Sequence, residues 1–201
     1  MITKENIHTL RDLLETAAVD YENQVFLRYE KDGIIYEKGY RTFAMDTRAV
    51  TAWTAHMNME AGKKLHVALL GKNSYEYLTV LLGVANAGNI AIPLDVQLSK
   101  ERLIENLERA EVDLLFFDYD YLSDAEYVLQ QCDCLKGIIC IQQRKNHSSV
   151  PQIHREYRTP DFDSDVKPDD CALVIFTSGT TGHGKGVMLS HSNLLDNLFS
   201  S

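Results

Sequence analysis

No stretch of this sequence is both long and apolar enough to be read as a membrane span. The nearest candidate, Leu78 to Leu94, is interrupted by Thr79, Asn86, Gly88, Asn89 and Pro93, and it falls short of the roughly 20 apolar residues a span requires. A buried helix followed by a buried strand accounts for it better. Proline is scarce, at 4 in 201 residues, and glycine numbers only 11. That composition excludes collagen-like, linker-like and low-complexity chains, and no internal repeat is present. There is no basic patch either. The formal net charge of -9 repels polyphosphate backbones, so no nucleic acid is expected as a partner. The opening MITKENIHTLRDLLE lacks the basic-then-apolar layout of a secretory signal, and a cytoplasmic location is expected.

Cysteine is also sparse. Cys132, Cys134, Cys140 and Cys171 show no paired spacing of a secreted disulfide framework, and a cytoplasmic chain keeps its thiols reduced. Cys132 and Cys134 together with His147 and His154 supply four soft ligand types. However, one residue separates the cysteines and six the histidines, where zinc sites use about two to four and three to five. They are therefore read as free thiols and loop histidines, with no metal assigned.

What is present is the material of a core. Hydrophobic residues make up 45% of the chain, as in ordinary globular domains. Ile7, Leu10, Leu13, Leu14 and Ala17 recur at helical spacing, predicting a short helix over 7–18. Val25, Leu27 and Tyr29 at period two, then Ile34 to Tyr40, predict a hairpin turning at Asp32-Gly33. Phe43, Ala49, Val50, Trp53 and Met57 share one face of a helix over 42–58, with Trp53 as a core anchor. From Leu65 onward, short apolar runs alternate with amphipathic helices. The runs are 66–70, 90–94, 114–117, 137–141 and 172–176; the helices are 74–87, 99–110 and 123–131, the last two opened by the capping candidates Ser99 and Ser123. This alternation predicts an α/β fold, a largely parallel doubly wound sheet with flanking helices, preceded by the N-terminal helix and β-hairpin. The expected organisation is one domain part over 1–201: a first α/β unit over about 1–141, a surface excursion or subdomain connection over 142–170, and a strand, loop and helix start over 171–201.

The chemistry concentrates after the fifth run. Ala172 to Phe176 leads directly into Thr177-Ser178-Gly179-Thr180-Thr181-Gly182-His183-Gly184-Lys185-Gly186. Glycines let successive backbone N–H groups converge on an oxyanion. The hydroxyls of Thr177, Ser178, Thr180 and Thr181 add neutral donors, and Lys185 adds a mobile positive charge. A linker is disfavoured because apolar runs lie on both sides. Gly179 to Lys185 matches G-x-x-x-x-G-K, but a Walker loop next needs the Mg²⁺-ligating Ser or Thr, and here stands Gly186. Val187 to Leu189 moreover reads as a strand, with a helix starting only at about Ser190 to Asn193. Thr177, Ser178, Gly179, Thr180, Thr181, Gly182, Gly184, Lys185 and Gly186 are thus the candidate phosphate-binding residues. His183, His191, Asp95 and Glu101 are assigned no catalytic role; the last three read as helix-start and turn residues.

FTSGTTGHGKGVMLSHSN, from Phe176 to Asn193, resembles the signature [YF]TSG[ST]TGxPKGV of the superfamily of AMP-forming acyl-CoA synthetases, firefly luciferase and peptide-synthetase adenylation domains. VALLGKNSYEYLTVLLGVANAGNIAIPLD, from Val67 to Asp95, resembles the family's early strand-helix-strand block. Gly184 stands where the family most often has proline, which widens the loop's conformational choices. TSGTTG in place of TSGSTG, with GVMLSH, tilts the resemblance toward acyl-CoA synthetases.

The resemblance implies that a substrate carboxylate attacks the ATP α-phosphorus and expels pyrophosphate, after which a thiol, usually of coenzyme A, attacks the acyl-adenylate. The loop residues would stabilise the departing charge. It also implies ATP, Mg²⁺ and coenzyme A as cofactors and co-substrate, a fatty or related small-molecule acyl acid as substrate, and the remainder of the same chain as partner. The Mg²⁺-binding acid, ribose-binding acid, acyl pocket and adenylation lysine should lie beyond Ser201, so these 201 residues are expected to be an N-terminal fragment inactive alone, with no catalytic residue and no metal ligand of their own. Leu194, Leu195, Leu198 and Phe199 are expected to lack packing partners. Open alternatives are an adenylation module loading a carrier protein, a Walker-type phosphotransferase, disfavoured by Gly186, and a non-catalytic nucleotide-binding module.

Overall fold

The computed structural model describes residues 2–31, 33–158, 165–177 and 185–200. The first helix, α1 (Leu10–Asp20), opens on a reciprocal cap. The Asp12 amide donates to the Thr9 hydroxyl at 3.1 Å, and the Thr9 amide donates to the Asp12 carboxylate at 2.9 Å. This cap starts the helix later than the apolar spacing suggests. Ile7 is buried, but ahead of the helix. The expected hairpin forms from β1 (Val25–Lys31) and β2 (Ile34–Gly39), with Gly33 at φ +75° in its turn. It leads into α2 (Tyr40–Ala61), which ends at Gly62 in the left-handed region. The buried hydroxyls of Thr51 and Thr54 bond to the Thr47 and Val50 carbonyls one turn back, so polar side chains can lie on the inner face of α2. Trp53 is half-buried, edge-on to Phe116 with ring centroids 5.8 Å apart.

The main sheet contains β3 (His66–Leu70), β4 (Ile90–Leu94), β5 (Leu114–Phe117), β6 (Gly137–Cys140), β7 (Cys171–Thr177) and β8 (Lys185–Ser190), in the spatial order β6-β5-β3-β4-β7-β8. Every neighbouring pair is parallel except β7 with β8, which is antiparallel. The connecting helices are α3 (Tyr75–Asn86), α4 (Lys100–Arg109), α5 (Leu122–Gln131) and α6 (Val150–Glu156), and α7 (His191–Ser200) follows β8. Alternate residues of the strands serve two cores. Val67, Leu69 and Phe116 meet Val50, Val84 and Ile153 of α2, α3 and α6 on one face. Ala68, Leu70 and Phe117 meet Leu103, Leu107 and Val128 of α4 and α5 on the other. Two buried faces are the physical reason these strands read as continuous apolar runs instead of alternating ones. The doubly wound α/β arrangement expected from the sequence is the one found.

Two local expectations are corrected, and a helix is found in a stretch whose sequence showed none. Ser99 caps α4, its hydroxyl accepting from the Arg102 amide, but Ser123 does not cap α5. A 3-10 turn at Tyr119–Tyr121, capped by Asp118, feeds that helix and places Ser123 inside its first turn. The cap of α3 is Ser74, which accepts from the Tyr77 amide at 3.1 Å. Within 142–170 lies α6, whose Val150 and Ile153 are buried; only two apolar anchors are needed for so short a helix, too few to show periodicity. In α7, Leu195 is buried, lining with Ile7 a cavity of about 120 Å³, whereas Leu198 is exposed. No helix among the described residues is long and apolar enough to cross a membrane.

Candidate active site

β7 carries Thr177 to the carboxyl end of the sheet, and β8 departs from Lys185, its direct partner across the hairpin. The Thr177 hydroxyl donates to the Lys185 carbonyl at 3.4 Å, and both residues are exposed. Gly186 pairs with Phe176 one step down the stalk. The structure therefore brings Thr177, Lys185 and Gly186 together at one mouth. The candidates Ser178, Gly179, Thr180, Thr181, Gly182 and Gly184, with His183 among them, lie outside the described residues.

The position of this mouth follows from topology. Ala91 of β4 pairs with Leu173 of β7, so Leu94 and Phe176, each three residues further on, end level. From there the chain leaves β4 through α4 to reach β5, on one side, and leaves β7 into β8, on the other. Divergence of adjacent parallel strands opens a crevice outside their carboxyl ends, the usual place for a ligand in such sheets. At the β4 side, the Asp95 carboxylate accepts from the Gln97 amide at 2.9 Å, a turn-forming contact. The Ser99 hydroxyl holds the Glu101 carboxyl below its usual range at the start of α4.

A glycine at 186 also has a packing reason. A Cβ there would lie 3.1 Å from Val174 Cγ1 and 3.5 Å from the Phe176 ring. Gly186 thereby helps form a groove of about 290 Å³ whose apolar walls include Ile90, Ile92, Val174, Phe176 and Met188. Sequence reasoning missed this groove. Its only signal is the same-face alternation of Val174 with Phe176 and of Gly186 with Met188 on paired strands.

The helix after the loop is at the wrong end for a Walker site. Ser190 pairs with Cys171, at the beginning of β7, so α7 starts at the opposite end of the sheet from the loop, roughly 20 Å away for a strand of this length. Its first amides are already committed: His191 N–H donates to the Asp170 carbonyl at 3.2 Å and Ser192 N–H to the Pro168 carbonyl at 2.9 Å. Ser190 and Asn193 complete a reciprocal cap, at 3.1 and 3.2 Å. No dipole of this helix faces the loop. His191 itself is fully buried, accepting from the Leu10 amide.

The soft-ligand set is dispersed over three places. Cys132 and Cys134 belong to the core beneath α4 and α5, His147 stands edge-on to Phe117, and His154 bonds to the Thr79 hydroxyl at 3.1 Å. All four cysteines are unpaired thiols whose burial raises their pKa, Cys132 to about 11, so they are weak nucleophiles. Among the described residues no group of three or more His, Cys, Asp or Glu side chains is arranged to hold a metal ion. The donors at the mouth, the Thr177 hydroxyl and the Lys185 ammonium, suit phosphate oxygens.

Comparison with known proteins places this geometry in a family. The profile of the AMP-binding enzyme family matches residues 14–201. The 2-succinylbenzoate–CoA ligase of Bacillus cereus (strain AH820) is 27% identical over 184 residues, 90% of this chain and 34% of its own length. The D-alanine–D-alanyl carrier protein ligase of Streptococcus equi subsp. equi is 26% identical over 191 residues, 92% of this chain and 33% of its own length. Among solved structures, the A-PCP didomain of carboxylic acid reductase from Segniliparus rugosus superposes with a TM-score of 0.81 at 15% identity, covering 96% of this chain and 33% of that one, a likeness of fold alone. The chain spans about a third of the length of the curated relatives it matches. With a family profile that covers nearly its whole length and a sheet that presents the signature hairpin at a topological switch point, the chain belongs to the AMP-binding enzyme family.

Proposed function

We propose that this chain is the N-terminal part of an ATP-dependent carboxylic acid–CoA ligase, acting on a fatty acid or related acyl acid, in which residues 177–186 grip the phosphates of ATP. The observation that carries the reading is the stalk: Thr177 and Lys185 face each other at the sheet's carboxyl end, beside the end of β4, with the glycine- and hydroxyl-rich segment between them. As pyrophosphate departs from the α-phosphorus, negative charge grows on its oxygens. Lys185, the hydroxyls of Thr177, Ser178, Thr180 and Thr181, and the backbone amides of the glycine-rich loop meet that charge, with Gly186 at its base, and stabilisation there lowers the barrier to adenylation. Mg²⁺ would neutralise phosphate charge; its ligands, like the acyl pocket, belong to the remainder of the domain. Coenzyme A would accept the acyl group in the second half-reaction. The carrier-protein ligase among the relatives supports the second reading, an adenylation module that loads a carrier instead of coenzyme A.

The test is calorimetric titration of ATP and of pyrophosphate into this chain and its Lys185→Ala variant, with a parallel pyrophosphate-exchange assay. Loss of a charge-assisted contact is worth ~1.5–3 kcal/mol, so the variant should bind roughly 10- to 100-fold more weakly. The exchange assay should show no acid-dependent turnover by these residues alone. Equal binding by both proteins would sink the assignment of the loop, and turnover would sink the claim that the catalytic groups lie elsewhere.

A further inference from the structure

The N-terminal segment is fastened to the base of the β7–β8 hairpin, far from the loop, through α7. Lys4 pairs with Asp196 at 2.8 Å, Ile7 and Leu195 are both buried and line one cavity, and the Leu10 amide donates to His191 Nδ1 at 3.2 Å. Leu10 is the first residue of α1, and its N–H has no partner within the helix, so the ring supplies an acceptor that the helix start needs. A ring that accepts at Nδ1 carries its proton on Nε2, and is neutral. His191 is wholly inaccessible to solvent, and its Nε2 is buried beside Ala85 of α3, whose carbonyl lies near enough to favour a proton on the ring but makes no well-formed hydrogen bond with it.

We propose that His191 is a proton-sensitive clasp: its neutral ring ties the start of α1 to the hairpin base, and protonation releases the N-terminal segment from it. Adding a proton at Nδ1 turns the acceptor into a second donor facing the Leu10 N–H, and it puts a charge where no water reaches. Compensation from the surroundings is limited because the facing acids are engaged. From α1, the Asp12 carboxylate already accepts from the His8 and Thr9 amides. From the chain before β7, Asp170 already accepts from the Lys167 amide and from Lys64, at 3.1 and 3.3 Å. Lys64 adds a like charge, and on α7 Asp196 is turned outward to Lys4. Burial accordingly pushes the His191 pKa below its ordinary value, against the pull of Asp170 and Asp12. A base whose folded pKa is depressed contributes stability that is full above its unfolded pKa and declines as pH falls below it, because the opened state takes the proton first.

The clasp is tested by amide hydrogen exchange on the 201-residue chain from neutral pH to about 5, below the ordinary imidazole range and above the carboxylates. Three proteins are compared: wild type, His191→Asn, whose side-chain oxygen can replace Nδ1 and does not titrate, and His191→Phe, which has no acceptor. In wild type, protection factors at Leu10 and in the first turn of α7 should fall together, by up to ~10-fold per pH unit once below the unfolded imidazole pKa. Relative to core amides of β3, which report any global loss through other groups, His191→Asn should hold both flat, and His191→Phe should lack protection at Leu10 at every pH. Flat wild-type protection overturns the proposal, as does an equal fall in His191→Asn, which would assign the titration to another group. Should His191→Phe fail to fold, the comparison of wild type with His191→Asn decides alone. No nucleotide enters the measurement, so its outcome is independent of the ATP reading.

Discussion

Gly83 sits inside α3, where helix propensity by itself favours alanine by about 1 kcal/mol. Packing opposes this. A Cβ at Gly83 would stand 2.6 Å from Val50 Cβ and 3.0 Å from the Thr47 carbonyl oxygen of α2. Neither atom can swing aside as a long side chain can, so the two helices would have to separate. Overpacking of this kind costs about 1–3 kcal/mol and outweighs the propensity gain. Gly83→Ala should therefore lower the urea midpoint at unchanged slope; a raised midpoint would show that α2 and α3 can shift at little cost. The contrast with Ser99 shows which residue roles were legible. The cap at Ser99 is a local matter between a hydroxyl and an amide three residues on, so the sequence predicts it. The need for glycine at 83 arises from a neighbour 33 positions away, and no local pattern reports it. The signature loop lies between these cases: its residue types are what the proposed phosphate role rests on, whereas Gly186 is also fixed by Val174 and Phe176, which only the strand pairing reveals.

At the scale of elements, the central parallel strands β3, β4 and β5 were legible almost to the residue because both of their faces are largely buried. The antiparallel partner β8 was legible from the apolar run after Lys185, but α6 was not. It is held by Val150 and Ile153 and by a polar knot that ties it to α2 and α3. In that knot the Tyr75 hydroxyl donates to Asp46 at 2.6 Å, His154 Nδ1 faces the same carboxylate at 3.9 Å, and His154 Nε2 meets the Thr79 hydroxyl. Burial lowers the His154 pKa, while Asp46 pulls it back up. The knot is therefore strongest above the ordinary imidazole pKa and weakens as pH falls below it, since the unfolded chain takes up the proton first. Asp46→Asn removes the opposing charge at constant shape. It should lower the His154 pKa further and extend the loss of stability to more acid pH, both readable by NMR titration of the ring and by melts across that range. A His154 pKa that does not fall would show that Asp46 does not act on it.

For the whole molecule, the informative feature is an asymmetry of coverage. β3 and β5 are sandwiched between helices, whereas every residue of β8 from Lys185 to Met188 is exposed, Met188 at 65% and Val187 at 43%, beside Ile175 at 39%. Among the described residues β8 is also the last strand of the sheet, and the apolar groove over β4 and β7 adjoins it. An exposed apolar edge strand is a template for association, and proteins of this class of sheet blunt such edges or cover them. In the proposed reading, the rest of a larger domain covers this one. These 201 residues by themselves should instead self-associate through β8. Met188→Lys with Val187→Thr places a charge on the edge and keeps a β-branched residue for strand propensity. Because both side chains are largely solvent-facing, the pair of substitutions should change stability by no more than about 0.5 kcal/mol each. Sedimentation velocity across a concentration series should then show association in the unmodified chain and its suppression in the double variant, with unfolding midpoints nearly equal. Association that survives the charge would move the sticky surface elsewhere, with the exposed Ile34 and Ile35 of the β1–β2 hairpin the next surface to substitute.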